Sequence, residues 1–250
     1  MLKISRRNLL RLGVYGPMAA VLTDGFVIEP RWLAVRHIVL SQTPSIKIIH
    51  FTDPHHKGDV RYLRNVVKQI NSMPADFVCF TGDIMEKTTY LDEALEILRT
   101  INKPMYGVPG NHEYWSHAPF NVIQEAFTAT GGAWLVDQEI SIKNDTVLLH
   151  GHAQKPVRRK NSTVRKNILL THHPETVDHL PEKSFDLILA GHAHGGQVRL
   201  PFWGAVIVPP HTGTYDRGLF KTPSGPLYVS TGIGYWYIPV RFFCRPEIAL

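Results

Sequence analysis

The sequence predicts an α/β fold with parallel central strands, folded as one layered domain. Three observations predict it. Apolar runs of strand length alternate with helical patterns through the first half of the chain. Short strand-like segments crowd the second half. Five of the apolar runs stop at Asp, Asn or His, and the carboxyl end of a strand is where open α/β sheets place their chemistry.

The elements follow in order. Residues 33–40, flanked by Pro30 and Pro44, read as an entering edge strand. Residues 46–52 form a core strand that ends at Asp53-Pro54-His55-His56. Val60, Leu63, Val66, Val67 and Ile70 mark one face of a helix. Residues 75–81 are the next strand, ending at Gly82-Asp83. Leu91, Ala94, Leu95, Leu98 and Ile101 mark a second helix. Residues 105–109 are a buried strand that stops at Gly110-Asn111-His112-Glu113, and a third helix covers residues 120–130. Residues 133–136, 140–142 and 146–150 are short strands, with Asn144-Asp145 as a turn. Residues 167–171 end at His172-His173-Pro174, and residues 185–190 at Gly191-His192-Ala193-His194. Residues 197–200, 227–231 and 247–250 complete the strands. There is no internal repeat or linker, so residues 25–250 read as one domain of two layers.

A chain of 250 residues can bury a full core. Its composition is ordinary for a globular protein, except that 14 histidines are many. The net charge is +6; Lys3, Arg6, Arg7 and Arg11 against Asp24 give residues 1–24 a net +3, which leaves +3 for the body. That mild excess suits an anionic substrate or surface. With no zinc-finger spacing and no basic helix interleaved with aromatics, nucleic acid is not expected as a partner. Cys79 sits in an apolar run and Cys244 far from it in sequence, so both read as free thiols.

Residues 1–24 read as an address. Ser5-Arg6-Arg7-Asn8-Leu9-Leu10-Arg11 resembles a twin-arginine export signal. The apolar segment behind it is broken by Arg11, Gly13, Gly16 and Pro17, and falls short of the ~20 apolar residues of a membrane span. The expectation is export to the periplasm or the outer face of the cell membrane, with the segment cleaved or kept as a tether. The alternative is a tether on the cytoplasmic face.

The polar strand ends are Asp53/His55, Asp83, Asn111/His112, His172 and His192/His194. Any one is an ordinary loop residue or helix cap. Five together, at the ends of strands of one sheet, would converge on one rim. Mixed imidazole and carboxylate donors suit Mn, Fe, Zn or similar ions rather than a calcium site.

Asp53-x-His55, Gly82-Asp83, Gly110-Asn111-His112-Glu113, His172 and Gly191-His192-x-His194 resemble, in order, the signature of the calcineurin-like metallophosphoesterases, over about residues 46–235. The start of the chain, residues 191–198 and the ending from Arg241 to Glu247 resemble the YaeI/YkuE-type bacterial phosphodiesterases within that family. The resemblance implies a four-layer α/β/β/α sandwich with two mixed central sheets. It implies two divalent ions, with Mn, Fe or Zn as the candidates. Asp53, His55 and His194 would hold one ion. Asn111, His172 and His192 would hold the other, with Asp83 shared. The implied reaction is hydrolysis of a phosphodiester or pyrophosphate by in-line attack of a hydroxide held between the ions. His112 would act at the phosphate or the leaving oxygen.

Other residues stay open at this point. Glu113 reads either as the partner of His112 or as a helix-terminal acid. Glu86 stands where the family often has Asp. His173 occupies a position often held by Asn. His150-Gly151-His152 ends a strand and is a candidate for substrate contact. The basic stretch at residues 155–166 and the aromatic run Gly234-Tyr235-Trp236-Tyr237-Ile238 would together suit an anionic membrane surface and a lipid-linked substrate. Core packing beside the Pro239 turn is the preferred reading of that run. A UDP-2,3-diacylglucosamine pyrophosphatase is an alternative activity, and a non-catalytic phosphate-binding scaffold is an alternative from another class.

Overall fold

The computed structural model describes residues 6–157 and 166–250. The chain opens with α1 (Arg6–Thr23), which runs through a π turn (Asp24–Ile28) and a 3-10 turn (Glu29–Arg31) into β1 (Ala34–Arg36). Among the described residues no helix is long and apolar enough to cross a membrane. The first half then lays down β2 (Ile48–Phe51), α2 (Val60–Ser72), β3 (Phe77–Phe80), α3 (Leu91–Leu98), β4 (Met105–Gly107), α4 (Asn111–Trp115), α5 (Phe120–Ala129) and β5 (Ala133–Trp134). The second half lays down β6 (Glu139–Ile142), β7 (Val147–Gly151), β8 (Lys166–Leu170), β9 (Leu187–Ala190), β10 (Arg199–Leu200), β11 (Gly204–Ala205), β12 (Gly218–Thr222), β13 (Gly225–Val229) and β14 (Glu247–Ala249).

The helices form where their apolar periodicity predicts. In α2 the Asp59 carboxylate accepts from the Tyr62 amide at 3.1 Å and so caps the first turn. Leu63, Val66, Val67 and Ile70 are its buried face. Helix α3 ends at Leu98, earlier than the pattern suggests, yet Ile101 still joins the same core from the turn beyond.

The strands do not make the one sheet that the residue pattern suggests but the two mixed sheets that the resemblance implies, each of six strands, in the orders β1-β14-β2-β3-β4-β5 and β12-β13-β9-β8-β7-β6; β10 and β11 pair apart from them as a two-stranded ribbon. β2 to β5 are parallel, as are β7, β8, β9 and β13; antiparallel strands flank both sets. The physical reason is burial. The central strands are apolar on both faces, which demands cover on both sides. Two sheets stacked face to face supply it, whereas one sheet of all these strands would exceed the usual size.

The layers are visible in the packing. Ile49, Phe51, Val78 and Phe80 pack outward against α2, α3 and α5. Phe77, Cys79, Tyr106 and Val108 face Leu149, Ile168, Leu170 and Leu189 across the middle of the sandwich. Leu169, Ile188, Leu227 and Val229 face outward on the second sheet, under Val177 of the 3-10 turn Pro174–His179 and Phe185. The fourth layer is therefore thin beside the three-helix layer opposite. Cys79 and Cys244 are both buried and free.

Three local readings change. The entering strand shrinks to β1 at the sheet edge. The hairpin β12–β13 was not read from the sequence, although Pro223-Ser224 at its turn is a legible signal. The aromatic run is not core: Tyr237 is 81% exposed and Ile238 56%. Most of the basic stretch, residues 158–165, lies outside the described residues, as do residues 1–5.

Candidate metal centre

β2, β3 and β4 of the first sheet and β8 and β9 of the second all end at one rim of the sandwich. Each strand hands its polar residues to the loop just beyond. Asp53, His55, Asp83, His172, His192 and His194 are all buried there. Several take a backbone conformation that non-glycine residues avoid: φ is +54° at Asp53, +41° at His55, +60° at Asp83, +66° at His192 and +48° at His194. Such strain costs roughly 1–3 kcal/mol per residue and clusters at functional sites. Glycine makes the loops fit. A Cβ on Gly110 would lie 2.2 Å from Asp83 Oδ1, and one on Gly191 would lie 2.2 Å from Thr52 Oγ1.

Two lobes share one carboxylate. In the first, His55 Nε2 lies 3.0 Å from His194 Nε2, and Asp53 Oδ1 lies 3.9 Å and 3.7 Å from these nitrogens. In the second, His172 Nε2 lies 3.0 Å from Asn111 Oδ1 and 3.1 Å from His192 Nδ1. Asp83 Oδ2 stands 3.4 Å from both His55 Nε2 and His172 Nε2. One oxygen thus serves both lobes.

In three of the four rings the outer nitrogen says how the inner one is used; the fourth, His194, has its Nδ1 buried without a partner among the described residues. His172 Nδ1 donates to the Thr81 carbonyl at 2.6 Å, so Nε2 presents a lone pair inward. His192 Nε2 donates to the Pro210 carbonyl at 2.6 Å, which leaves Nδ1 facing His172. His55 Nδ1 donates to Glu86 Oε2 at 3.2 Å. Rings tethered in this way through the far nitrogen are how proteins orient metal-binding histidines. Ring nitrogens and carboxylate oxygens converge within a few ångströms of one another, and a cation is what satisfies such a donor set. The donors present fit divalent ions of the Mn, Fe and Zn kind.

Electrostatics agree. Burial pushes the Asp53 carboxyl up to about 7. Burial also opposes charge on Asp83, but the adjacent His172, His55 and His112 outweigh it and hold that carboxyl well below its usual range. His172 shows the reciprocal effect: burial would lower it, yet Asp83 raises it to about 9. His192 drops to about 3, through burial and the charge on His172. The site favours one ionised carboxylate with positive charge beside it.

The loop that carries Asn111 and His112 becomes α4. The Asp83 Oδ1 atom accepts from the His112 amide at 2.8 Å. Glu113 is fully buried and spends both oxygens on backbone: it accepts from Gly110 at 2.6 Å, Asp83 at 2.9 Å and Ile84 at 2.6 Å. Glu113 therefore caps α4 and clamps the Gly82-Asp83 loop to it, and does not bond the His112 ring. The carboxylate that faces His112 is Glu86, with Oε2 3.8 Å from His112 Nδ1 and 3.5 Å from Lys57 Nζ. The Asn111 and His112 side chains line a cavity of about 300 Å³ with His173, His192, His194, His211 and Trp236.

The remaining histidines divide. His173 packs its ring 4.5 Å from His192, inside the site. His152 donates to or accepts from Thr171 Oγ1 at 3.1 Å and borders a second cavity with Asn111 and Trp115. His150 does not reach the rim. Side chains alternate along β7, so Val147 and Leu149 face the inner core while His150 points outward to Glu139 and Phe185. His150 is corrected from a substrate candidate to a packing residue.

Sequence reading missed three contributors. His211 bonds Glu175 Oε1 at 2.5 Å and lies 5.2 Å, ring to ring, from His173. Trp236 walls the same cavity. Arg241 is fully buried and donates to the carbonyls of Thr231 (2.8 Å), Gly232, Gly234 and Cys244 (2.9 Å), which locks the loop above Asp53. The one hint was an arginine between apolar neighbours (Pro239-Val240-Arg241-Phe242-Phe243-Cys244), because all its partners are backbone.

Residues 46–196 match the family model for the calcineurin-like phosphoesterases. The chain is 30% identical to the uncharacterized metallophosphoesterase YkuE of Bacillus subtilis, across 100% of this chain and 98% of that one. It is 34% identical to the phosphodiesterase YaeI of Escherichia coli, across 99% and 98%. It is 26% identical to the UDP-2,3-diacylglucosamine pyrophosphatase LpxG of Chlamydia trachomatis, across 82% of each. The matched segment carries every strand end that feeds the rim, and the chain belongs to the calcineurin-like phosphoesterase family as a metal-dependent phosphoesterase.

Proposed function

We propose that this chain hydrolyses a phosphodiester or pyrophosphate at a two-ion centre. One ion is held by Asp53, His55 and His194, the other by Asn111, His172 and His192, with Asp83 shared between them. The observation that carries this reading is the single Asp83 oxygen 3.4 Å from a histidine nitrogen of each lobe. When bound, the ions supply Lewis-acid polarisation of the phosphoryl oxygens and acidification of a water.

The chain's own residues do the rest. His112 lies at the mouth with its Nδ1 toward Glu86 and its ring centre 4.5 Å from that of His55. From there its Nε2 can hydrogen-bond a phosphoryl oxygen or protonate a leaving oxygen. Glu86 steadies both rings, and a hydrogen bond from His55 holds its carboxyl down to about 2, so it stays ionised. His173 and His211 stand where the rest of the ester would lie.

A lipid-linked ester on an anionic membrane surface is the substrate class we favour, reached from outside the cell membrane after twin-arginine export. In support, Phe202 and Trp203 at the tip of the β10–β11 hairpin are exposed, as are Tyr237 and Ile238 next to Trp236 and Phe26, Val27 and Ile28 after α1. These segments are tied together: Arg241 donates from its amide to the Gly25 carbonyl, and Arg199 from its amide to Phe242. Trp and Tyr beside aliphatic side chains are what a membrane interface favours. The similarity to LpxG supports a second reading, a pyrophosphatase acting on a diacylated sugar nucleotide from the cytoplasmic face.

The test is a panel of bis(4-nitrophenyl) phosphate, 4-nitrophenyl phosphate and a diacylglucosamine nucleotide under defined Mn, Zn, Mg and Fe. Metal-dependent cleavage of the diester or the pyrophosphate supports the reading. Two ions bound per chain with no ester cleaved would leave only the scaffold alternative.

A further inference from the structure

The opposite end of the sandwich holds a second, larger space. Where the two sheets splay at the start of β2, β8 and β9, a cleft of about 930 Å³ opens between them. Ile38 and Ile46, from the segment that joins β1 to β2, form one wall. Ile168 and Leu189 of the second sheet form the other. Val39 (79% exposed) and Leu40 flank the mouth, together with Lys166, whose ammonium pairs with Asp186 at 3.1 Å. His50 and Tyr228 close the inner end, 2% and 4% exposed.

His50 is the informative residue. Its Nε2 lies 2.9 Å from Thr81 Oγ1, but its Nδ1 has no hydrogen-bond partner among the described residues. A buried polar atom without a partner is rare and calls for an explanation. Tyr228 does not supply one, because its hydroxyl donates to Glu247 Oε1 at 2.7 Å. Burial holds the imidazole down to about 3, so it is uncharged at neutral pH and asks for a hydrogen bond rather than a counter-ion. A mainly apolar space of several hundred Å³ with a few polar groups has the form of a ligand site; Ser45, Lys47, Gln69 and Lys166 line it besides His50. Far smaller apolar cavities, of roughly 150 Å³, already bind small hydrocarbons.

We propose that this cleft binds a single aliphatic chain ending in an uncharged hydrogen-bonding group, with that group on His50 Nδ1 and the tail leaving past Val39 and Leu40. A charged head is disfavoured at the inner end, where the walls are apolar and the imidazole is neutral. The site is separate from the metal centre but touches it through one residue. Thr81 bonds His50 through its hydroxyl and accepts from His172 Nδ1 through its carbonyl at 2.6 Å. An occupant that reorients His50 therefore acts on a residue that positions a candidate metal ligand.

The experiment is calorimetric titration of the metal-free full chain with 1-decanol, decane and decanoate at pH 8, each delivered from cyclodextrin. One decanol per chain is expected, bound at least tenfold more tightly than decane or decanoate. Leu189→Trp and Ile46→Trp should each weaken decanol tenfold or more. His50→Leu should remove the preference for decanol over decane. If Leu189→Trp does not fold, Ile46→Trp on the half-exposed covering segment decides, with circular dichroism melting as the control. Absence of saturable binding would overturn the proposal. So would equal affinity in wild type and the Trp variants, which would place the chain on the exposed aromatic surface. Because no metal or ester is present, failure here leaves the two-ion reading untouched, and failure of catalysis leaves this one untouched.

Discussion

The two ends of this sandwich are built from the same strands and could hardly differ more. Strand β2 carries Ile48 and His50 at one end and delivers Asp53 and His55 at the other. Strand β8 does the same with Ile168 and His172, and β9 with Leu187 and His192. At the carboxyl end most polar groups are tied down: His172 to Thr81, His192 to Pro210, His55 to Glu86, and Glu113 to three backbone amides, while His194 Nδ1 and Thr52 Oγ1 are buried without a partner among the described residues. At the amino end the walls are aliphatic and a single imidazole nitrogen is left over. The comparison teaches that chemistry at the rim rests on positions fixed from behind. The cleft offers space and one unmet hydrogen bond.

The difference can be broken at the rim first. Asp83→Ala removes the oxygen that both lobes share, and bound metal should fall at both positions with turnover at least ~10³-fold lower. Elemental analysis beside diester hydrolysis checks this, and retention of two ions would show that Asp83 is not shared. His112→Ala should slow turnover by about 10²–10⁴-fold with metal content near wild type. Metal loss in that variant would place His112 among the ligands. Glu86→Gln should cost about 10–100-fold, because it loosens His55 and His112 without touching either lobe directly. An unchanged rate would show that the carboxylate is a bystander.

The smallest effect belongs to the other end. His50 titrates near 3 when folded and near 6.5 when unfolded. Between those values the unfolded chain binds the extra proton, so stability falls as pH drops, by about 1.4 kcal/mol per pH unit from this group. Above about 6.5 the group contributes no slope. Urea melts of wild type and His50→Gln from pH 7 to 5 should diverge in that sense, the wild type losing more. Parallel slopes would mean that the folded chain lets His50 take its proton as readily as the unfolded one.

How much was legible in advance depends on the range over which each feature acts. The helix faces of α2 and α5 and the five polar strand ends follow from local pattern, and local pattern survives folding. Residue pattern alone pointed to one sheet, because alternation along a strand says nothing of which sheet that strand joins; the two mixed central sheets implied by the family resemblance are the ones observed. Glu86 as the partner of His112, rather than its neighbour Glu113, was not legible. Glu113 lies on α4 with its carboxylate turned back to cap the helix, while Glu86 arrives from the loop after β3. His150 failed for a simpler reason: a period of two places it on the opposite face from Leu149.

What the sequence determined by itself is the set of donors, their order, and the strands that carry them, since residue type and apolar periodicity are written in the chain. Tertiary structure alone decided what surrounds those donors. Glu86 serves two rings, His211 and Trp236 join the rim, and His50 is stranded beside Thr81. Each of these pairs residues far apart in sequence. Such pairs are set by how two buried sheets stack, and that stacking is a solution to burial rather than a local preference.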